Sequence, residues 1–310
     1  GTLHGAIETR YIQDEPEIKL QTSDIRNLGS FIQDDKTLGV TDTVQYMCPL
    51  SNGQYITSRA INQSTTGDTM FVLQDANFKP ISKMIVSHGG HGSSFSIEEV
   101  DGAVYIWSIT KPNLNVNEYA ISRIPYLANV TLSNDDNRII RYCTINRYTR
   151  VSVDFKHGYV LCGYVNGKHD VLRLDDVKQG NYNVLYSFDI TNYGIDMNRQ
   201  TYQSQGIDFP YVFFHSGNYN MKDPRMVYAV NVVHGGQEFA SNYLLDMDLG
   251  LTDDVIEPEG CDIIYSQTNQ PELLVTFNCG SISRAFVIPI KERLPMTAIS
   301  NDYERRSING

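Results

Sequence analysis

A pattern of about fifty-five residues recurs along the chain: a Gly or Ser, a short apolar strand, a tight turn, a second apolar strand, a polar loop, then a third strand. The recurring first strands are Val44-Gln45-Tyr46, Ser94-Phe95-Ser96-Ile97, Val151-Ser152-Val153, Gly206-Ile207-Asp208-Phe209 and Gly260-Cys261-Asp262-Ile263-Ile264. A repeat this long, made of strands and almost without helical spacing, is the mark of small sheets stacked radially around an axis. The expected fold is therefore all-β: a five-bladed β-propeller of four-stranded antiparallel blades, closed by pairing the N-terminal segment into the last blade.

At 310 residues, length alone would favour two domains, but a closed β array of this size folds as one unit. The expected organisation is a single domain over residues 1–310. Within it, 1–40 is the closing segment, 41–292 the five blades and 293–310 a C-terminal tail. Closure is required because a ring of sheets otherwise leaves an exposed edge. Asn52-Gly53, Asp101-Gly102, His157-Gly158 and Asn166-Gly167 supply the positive φ that tight hairpins need. Runs such as Tyr211–Phe214 and Leu273–Phe277 are apolar on both faces, as middle strands of stacked blades must be. The polar stretch 190–203 is expected to be a loop.

Formal net charge is −11, which argues against nucleic acid as a partner, since that needs clustered Lys and Arg facing phosphates. No stretch approaches the roughly eighteen apolar residues of a membrane span, and the first residues lack a basic-then-apolar leader, so no membrane partner is expected. A start on Gly rather than Met points to a fragment of a longer protein. Cys48, Cys143, Cys162, Cys261 and Cys279 are odd in number, widely spaced and set in apolar strands, which favours buried core residues over a thiol nucleophile, a zinc site or a disulfide framework. Tyr outnumbers Phe 20 to 12, with a single Trp. A Tyr ring stacks on an apolar sugar face while its hydroxyl stays hydrated, although most Tyr in such a chain are strand formers.

In a propeller the first strand of each blade lines the axis, and the segments leading into it converge on one mouth. Those segments are Asp42-Thr43, His88–Ser94, Tyr148-Thr149-Arg150, Tyr202–Gln205 and Glu257–Glu259. The densest is His88-Gly89-Gly90-His91-Gly92. Its glycines let a backbone approach a ligand, and its imidazoles suit a metal, sugar hydroxyls or a phosphate; a Gly-rich turn with incidental His is the plain alternative. Which metal, if any, is unknown from sequence, and no cofactor is expected. Arg150, Gln205 and Glu259 join the candidate ligand contacts, the last two equally suited to packing along the axis. Trp107 is a further candidate, with a core role the plainer reading. Hydrolysis of a glycosidic bond would need two carboxylates at one centre, with Asp42, Asp208, Glu259 and Asp262 as candidates. No nucleophile elbow, P-loop or dinucleotide fingerprint is present.

The run from Ile85 through His88-Gly89-Gly90-His91-Gly92 to Phe95, continuing to Val104-Tyr105-Ile106-Trp107-Ser108, resembles the signature stretch of helveticin-J-type proteins. These are similar in turn to the five-bladed platform domains in receptor-binding proteins of phages that infect Gram-positive bacteria. Gln205-Gly206 and Glu259-Gly260 fit the same pattern, and the resemblance covers residues 38 to 292. It implies a non-enzymatic adsorption module at a virion tail tip or fibre, a homotrimer working with other tail proteins, that binds wall teichoic acid or a related surface glycopolymer. His88 and His91 would be mouth contacts, with Gln205 and Glu259 beside them. The chain departs from the staphylococcal members in having no recognisable coiled stem or tower, which leaves the oligomeric state open. Alternatives are a hydrolase that degrades teichoic acid or another glycoside on the same fold, and a helveticin-type bacteriocin.

Overall fold

A computed structural model describes residues 18–198, 201–219, 225–233, 240–244 and 249–292. The first seventeen residues of the expected closing segment and the expected tail at 293–310 lie outside the described residues.

Alternating runs punctuated by positive-φ turns produce five antiparallel sheets in chain order. The N-terminal strands β1 (Ile18–Leu20) and β2 (Arg26–Ile32) are followed by the first blade, β3 (Val44–Pro49), β4 (Tyr55–Ile61), β5 (Asp68–Gln74) and β6 (Pro80–Val86). Blade two comprises β7 (Ser96–Val100), β8 (Ala103–Asn113), β9 (Glu118–Pro125) and, after a detour through β10 (Val130–Leu132), β11 (Ile140–Ile145). Blade three is β12 (Thr149–Asp154), β13 (Tyr159–Tyr164), β14 (Lys168–Arg173) and β15 (Val184–Asp189), with a one-turn helix α1 (Leu174–Lys178) between the last two. Blade four is β16 (Tyr202–Asp208), β17 (Tyr211–Ser216), β18 (Met226–Asn231) and β19 (Ala240–Leu244). Blade five is β20 (Glu257–Tyr265), β21 (Pro271–Cys279) and β22 (Ile282–Glu292).

The ring closes as the edge argument requires. Strands β1 and β2 both pair antiparallel with β22, one at each end: Ile18 faces Glu292 and Ile32 faces Ile282. Blade five thus gains its outer strand from the start of the chain. Strand β10 was not legible as a strand. It leaves blade two and adds in parallel to the outer edge of blade one, Val130 facing Met84.

Among the described residues, five apolar layers lie between neighbouring blades, and a smaller cluster of Val40, Ile61, Met70 and Val72 packs on blade one. Tyr46, Phe71 and Met84 meet Phe95 and Ile106 between blades one and two, and Trp107 and Ile121 meet Val151 and Cys162 between two and three. Leu161 and Val171 meet Val212 and Phe214, and Phe213 and Val227 meet Leu273 and Phe277. The fifth layer, Met47 against Leu274, Ala285 and Val287, joins blade five back to blade one. Burying a Leu or Phe side chain in such a layer is worth about 1.5–3 kcal/mol. All five cysteines are free and buried in these layers. The stretch from residue 190 is a short 3-10 turn at Ile190–Tyr193 followed by loop up to Asn198.

Candidate functional site

The inner strands β3, β7, β12, β16 and β20 run the same way along the axis, so the ring has a top face where they begin and a bottom face where they end. Between the faces the axis is filled. The Tyr46 hydroxyl lies 2.8 Å from the Gln205 carbonyl oxygen and 2.9 Å from that of Cys261. The Ser204 hydroxyl donates to the Glu259 carbonyl, and the Val153 amide donates to Ser96 Oγ at 2.8 Å. Side chains of one inner strand thereby satisfy backbone groups of the next, as buried polar groups require. This is why Gly206 and Gly260 are glycines. A Cβ at Gly206 would collide with the Cys261 carbonyl oxygen, and one at Gly260 would stand 2.8 Å from Thr276 Oγ1.

Three candidate contacts consequently sit elsewhere than at an open mouth. Gln205 is wholly buried, accepting from the Tyr202 hydroxyl and donating towards the Arg150 carbonyl (3.1 Å), Ser152 Oγ (3.2 Å) and the Leu161 carbonyl (3.2 Å). Glu259 is buried and accepts from Asn278 Nδ2 at 2.8 Å; burial, then the neighbouring Glu257 charge, holds its carboxyl well above the usual range. Trp107 is buried between blades two and three, stacked on Tyr142 with ring centroids 5.0 Å apart, its indole N–H donating to Glu98. Polar side chains at strand starts look alike in sequence whether they face a mouth or a neighbouring strand's backbone.

The His-Gly segment does border an open pocket on the top face. It links β6 to β7 with positive φ at His88, Gly90 and Gly92. The His88 amide donates to Asp68 Oδ1 at 2.9 Å, and the Gly90 and Gly92 carbonyls accept from Thr69 and Ser58 hydroxyls. A Cβ at Gly90 would stand 2.6 Å from the Tyr148 ring, so glycine here is what lets that ring lie over the segment, and the Tyr148 hydroxyl accepts from the His91 amide at 3.2 Å. The pocket is about 470 Å³, lined by Gln63, Thr65, Thr66, Gly67, His88, Gly90, His91, Lys111, Leu114, Tyr119 and Tyr148. Tyr119 and Tyr148 meet edge to face at 5.8 Å, and Lys111 Nζ lies 5.5 Å from the Tyr119 ring centre. Among the described residues lining it there is no Asp or Glu. Lys111, Tyr119 and Gln63 were not singled out in sequence, because they come from strands and loops that only the fold brings beside the histidines.

Arg150 stands behind this pocket, its guanidinium 4.3 Å over the Tyr202 ring and Nη2 donating to the Tyr202 carbonyl. Its Nε and Nη1 have no hydrogen-bond partner among the described residues. His91 keeps part of its surface in solvent, yet crowding around its ring and then the Arg150 charge hold the imidazole below its ordinary value.

The bottom face carries a different cavity, about 660 Å³, floored by the ends of the inner strands and bordered by Asp154, Asp262, Glu272, Arg26 and Lys156. Burial raises Asp262 to about 7. Among the described residues, the ligand-type atoms of Asp154, His157 and Asp208 lie within 4.8 Å of one another at this rim. They already form an inter-blade latch: His157 Nδ1 is 2.8 Å from Asp154 Oδ2, which also accepts from the Phe209 amide, while Asp208 accepts from the Tyr265 hydroxyl at 2.6 Å. Of the four carboxylates considered for hydrolysis, Asp42 is exposed ahead of β3, Glu259 is interior, and Asp208 and Asp262 lie towards the bottom.

The ring of five sheets closes on itself, and the top-face pocket lies beside its axis, between loops of the first three blades. Residues 51–287 match the model of the phage 5-bladed beta propeller receptor binding platform domain, and the chain belongs to that family. Membership makes it a receptor-binding platform domain of a phage virion. The fold is shared with the tail fiber of Staphylococcus aureus phage P68, at a TM-score of 0.69 and 16% identity, over 87% of this chain and 53% of that one. A Bacillus subtilis (strain 168) protein named for major teichoic acid biosynthesis (protein C) is 27% identical over 154 residues, which is 46% of this chain and 33% of the relative. The chain thus spans about half the length of the fibre and a third of the curated relative.

Proposed function

We propose that this chain holds a bacterial surface glycopolymer, wall teichoic acid, in the pocket bordered by His88 and His91, and does so without cleaving it. The observation that carries this is the pocket's lining: in a chain of net charge −11, it combines Lys111, two imidazoles and two tyrosine faces with no acidic side chain among its described residues. A polyol-phosphate chain bearing sugars needs local donors for phosphate and hydroxyls, together with aromatic faces for the apolar sides of its rings. Glycosidic cleavage needs a carboxylate pair flanking one bond, which this lining lacks. The name of the Bacillus subtilis relative is consistent with the ligand class. Assembly as a homotrimer with other tail proteins belongs to the same reading, since several weak sites on one polymer gain avidity. The bound state requires no cofactor or metal.

Capture on purified Gram-positive cell walls tests this directly. Walls carrying teichoic acid should retain the protein and chemically stripped walls should not. Tyr148→Ala and Lys111→Ala should each weaken capture by about tenfold, the loss of one stacking or charge-assisted contact. Undiminished capture on stripped walls sinks the ligand class, whereas release of polyol phosphate or reducing sugar into the supernatant supports the hydrolase instead.

A further inference from the structure

A second pocket opens on the other side of the β8–β9 hairpin, about 610 Å³ in volume and lined by Asn117, Glu118, Asn146, Arg147, Tyr164 and Tyr182 among others. Like the first it sets a cation over a tyrosine ring, but Glu118 also borders it. The Arg147 guanidinium lies 3.6 Å over the Tyr164 ring, just as Lys111 lies over Tyr119. The Tyr164 and Tyr182 hydroxyls are hydrogen-bonded to each other, and Tyr182 donates to Asp170 at 2.8 Å, so both rings are held in place. Tyr164 is itself buried, whereas Arg147 is exposed.

The two pockets share one wall. Consecutive residues face opposite sides of it: Glu118 borders the second pocket and Tyr119 the first, and likewise Arg147 the second and Tyr148 the first. Neighbouring Cα atoms are about 3.8 Å apart, so a wall only one strand thick separates the two pockets along these pairs. Asn117 Nδ2 donates to the Asn146 carbonyl at 2.8 Å and pins the hairpin that forms the ridge. Leu114 and Val116, 48% and 46% exposed, crown it on either side and offer apolar contact to a chain crossing over.

We infer that these pockets are adjoining subsites for successive repeats of one phosphodiester-linked glycopolymer, the ridge residues Leu114 and Val116 being crossed by the link between them. Arg147 supplies a planar, bidentate phosphate donor in the second subsite, as Lys111 supplies a point charge in the first. The platform then grips internal segments of a polymer rather than a lone terminal unit. This rests on the glycopolymer reading above.

The test uses wall teichoic acid cut and size-fractionated into fragments of one, two and four repeats, titrated calorimetrically against the full chain. Affinity should rise at least about tenfold from one repeat to two, because the second contact is intramolecular. In Arg147→Ala, and again in the charge reversal Arg147→Glu, that rise should shrink to within about twofold, with an unchanged melting temperature showing that the fold is intact. Tyr148→Ala should weaken every length. A rise that persists in both Arg147 variants, or no rise in the wild type, overturns the second subsite while leaving the first. If no fragment of any length binds, the glycopolymer reading itself fails.

Discussion

At the level of single residues, the same side-chain types play two roles that order along the chain does not separate. His91 and Glu259 both precede a glycine near an inner strand, yet one borders a pocket and the other is sealed beneath Asn278. The His-Gly segment was legible because three glycines and two imidazoles are rare together. The interior place of Gln205 and Glu259 was not, since it depends on which face of a strand meets the neighbouring blade. Two outcomes follow. His91 is held below the ordinary imidazole value of about 6.5, so it is neutral at pH 7 and gains its proton on acidification. A phosphodiester keeps its charge throughout, so affinity should rise as pH falls from 7 to 5, and His91→Gln should flatten that profile. A titration series showing weaker binding at pH 5 would contradict this. Glu259, with its folded value raised, keeps a proton that the unfolded chain releases above about 4.3, so it costs stability increasingly as pH rises. Glu259→Gln retains an acceptor for Asn278 without that cost. Its melting temperature should exceed the wild type's by more at pH 8 than at pH 5, with wall capture unaltered.

Among elements, those with long apolar runs and a Gly-containing turn were plain in sequence: β8, β13, β17 and β21 fall where expected. Short ones were not. Strand β10 has three residues, and its pairing is fixed by blade one's edge rather than by alternation of its own. The helix α1 is a single turn anchored by buried Leu174 and Val177, too brief to leave a period. What the inner strands demand is also local and severe. Gly206→Ala places a methyl against the Cys261 carbonyl oxygen between two backbones, so neither side can yield cheaply. We expect a loss of about 1–3 kcal/mol, read as a lower denaturation midpoint, whereas Gly102→Ala, whose Cβ would meet open space, should lose less despite its positive φ. Equal losses at the two positions would mean that backbone conformation, not the approach of β16 to β20, explains Gly206.

For the molecule as a whole, five similar apolar layers make a ring with no privileged centre, and the join between β22 and the first strands brings together segments far apart in sequence. Ring size followed from counting repeats, and the closing pair followed from the need to cover an edge; the splitting of that closure into β1 and β2 did not. A chain lacking residues 1–32 should expose the whole edge of β22. We expect it to lose its cooperative melt and to associate through that edge, with a peptide spanning residues 18–32 restoring the melt and the association state of the intact chain by adding the missing strand. An unchanged melting curve for the shortened chain would show that the blade-five layer holds without its clasp.

That clasp also sets a timetable. During translation β1 and β2 emerge ahead of the five blades and their partner β22 after them, so until β22 is made the propeller is an open arc whose opening strands lack that partner. The circle can be completed only when the ribosome has delivered the final blade, and any premature stop upstream of Ile282 leaves an arc with no means of locking.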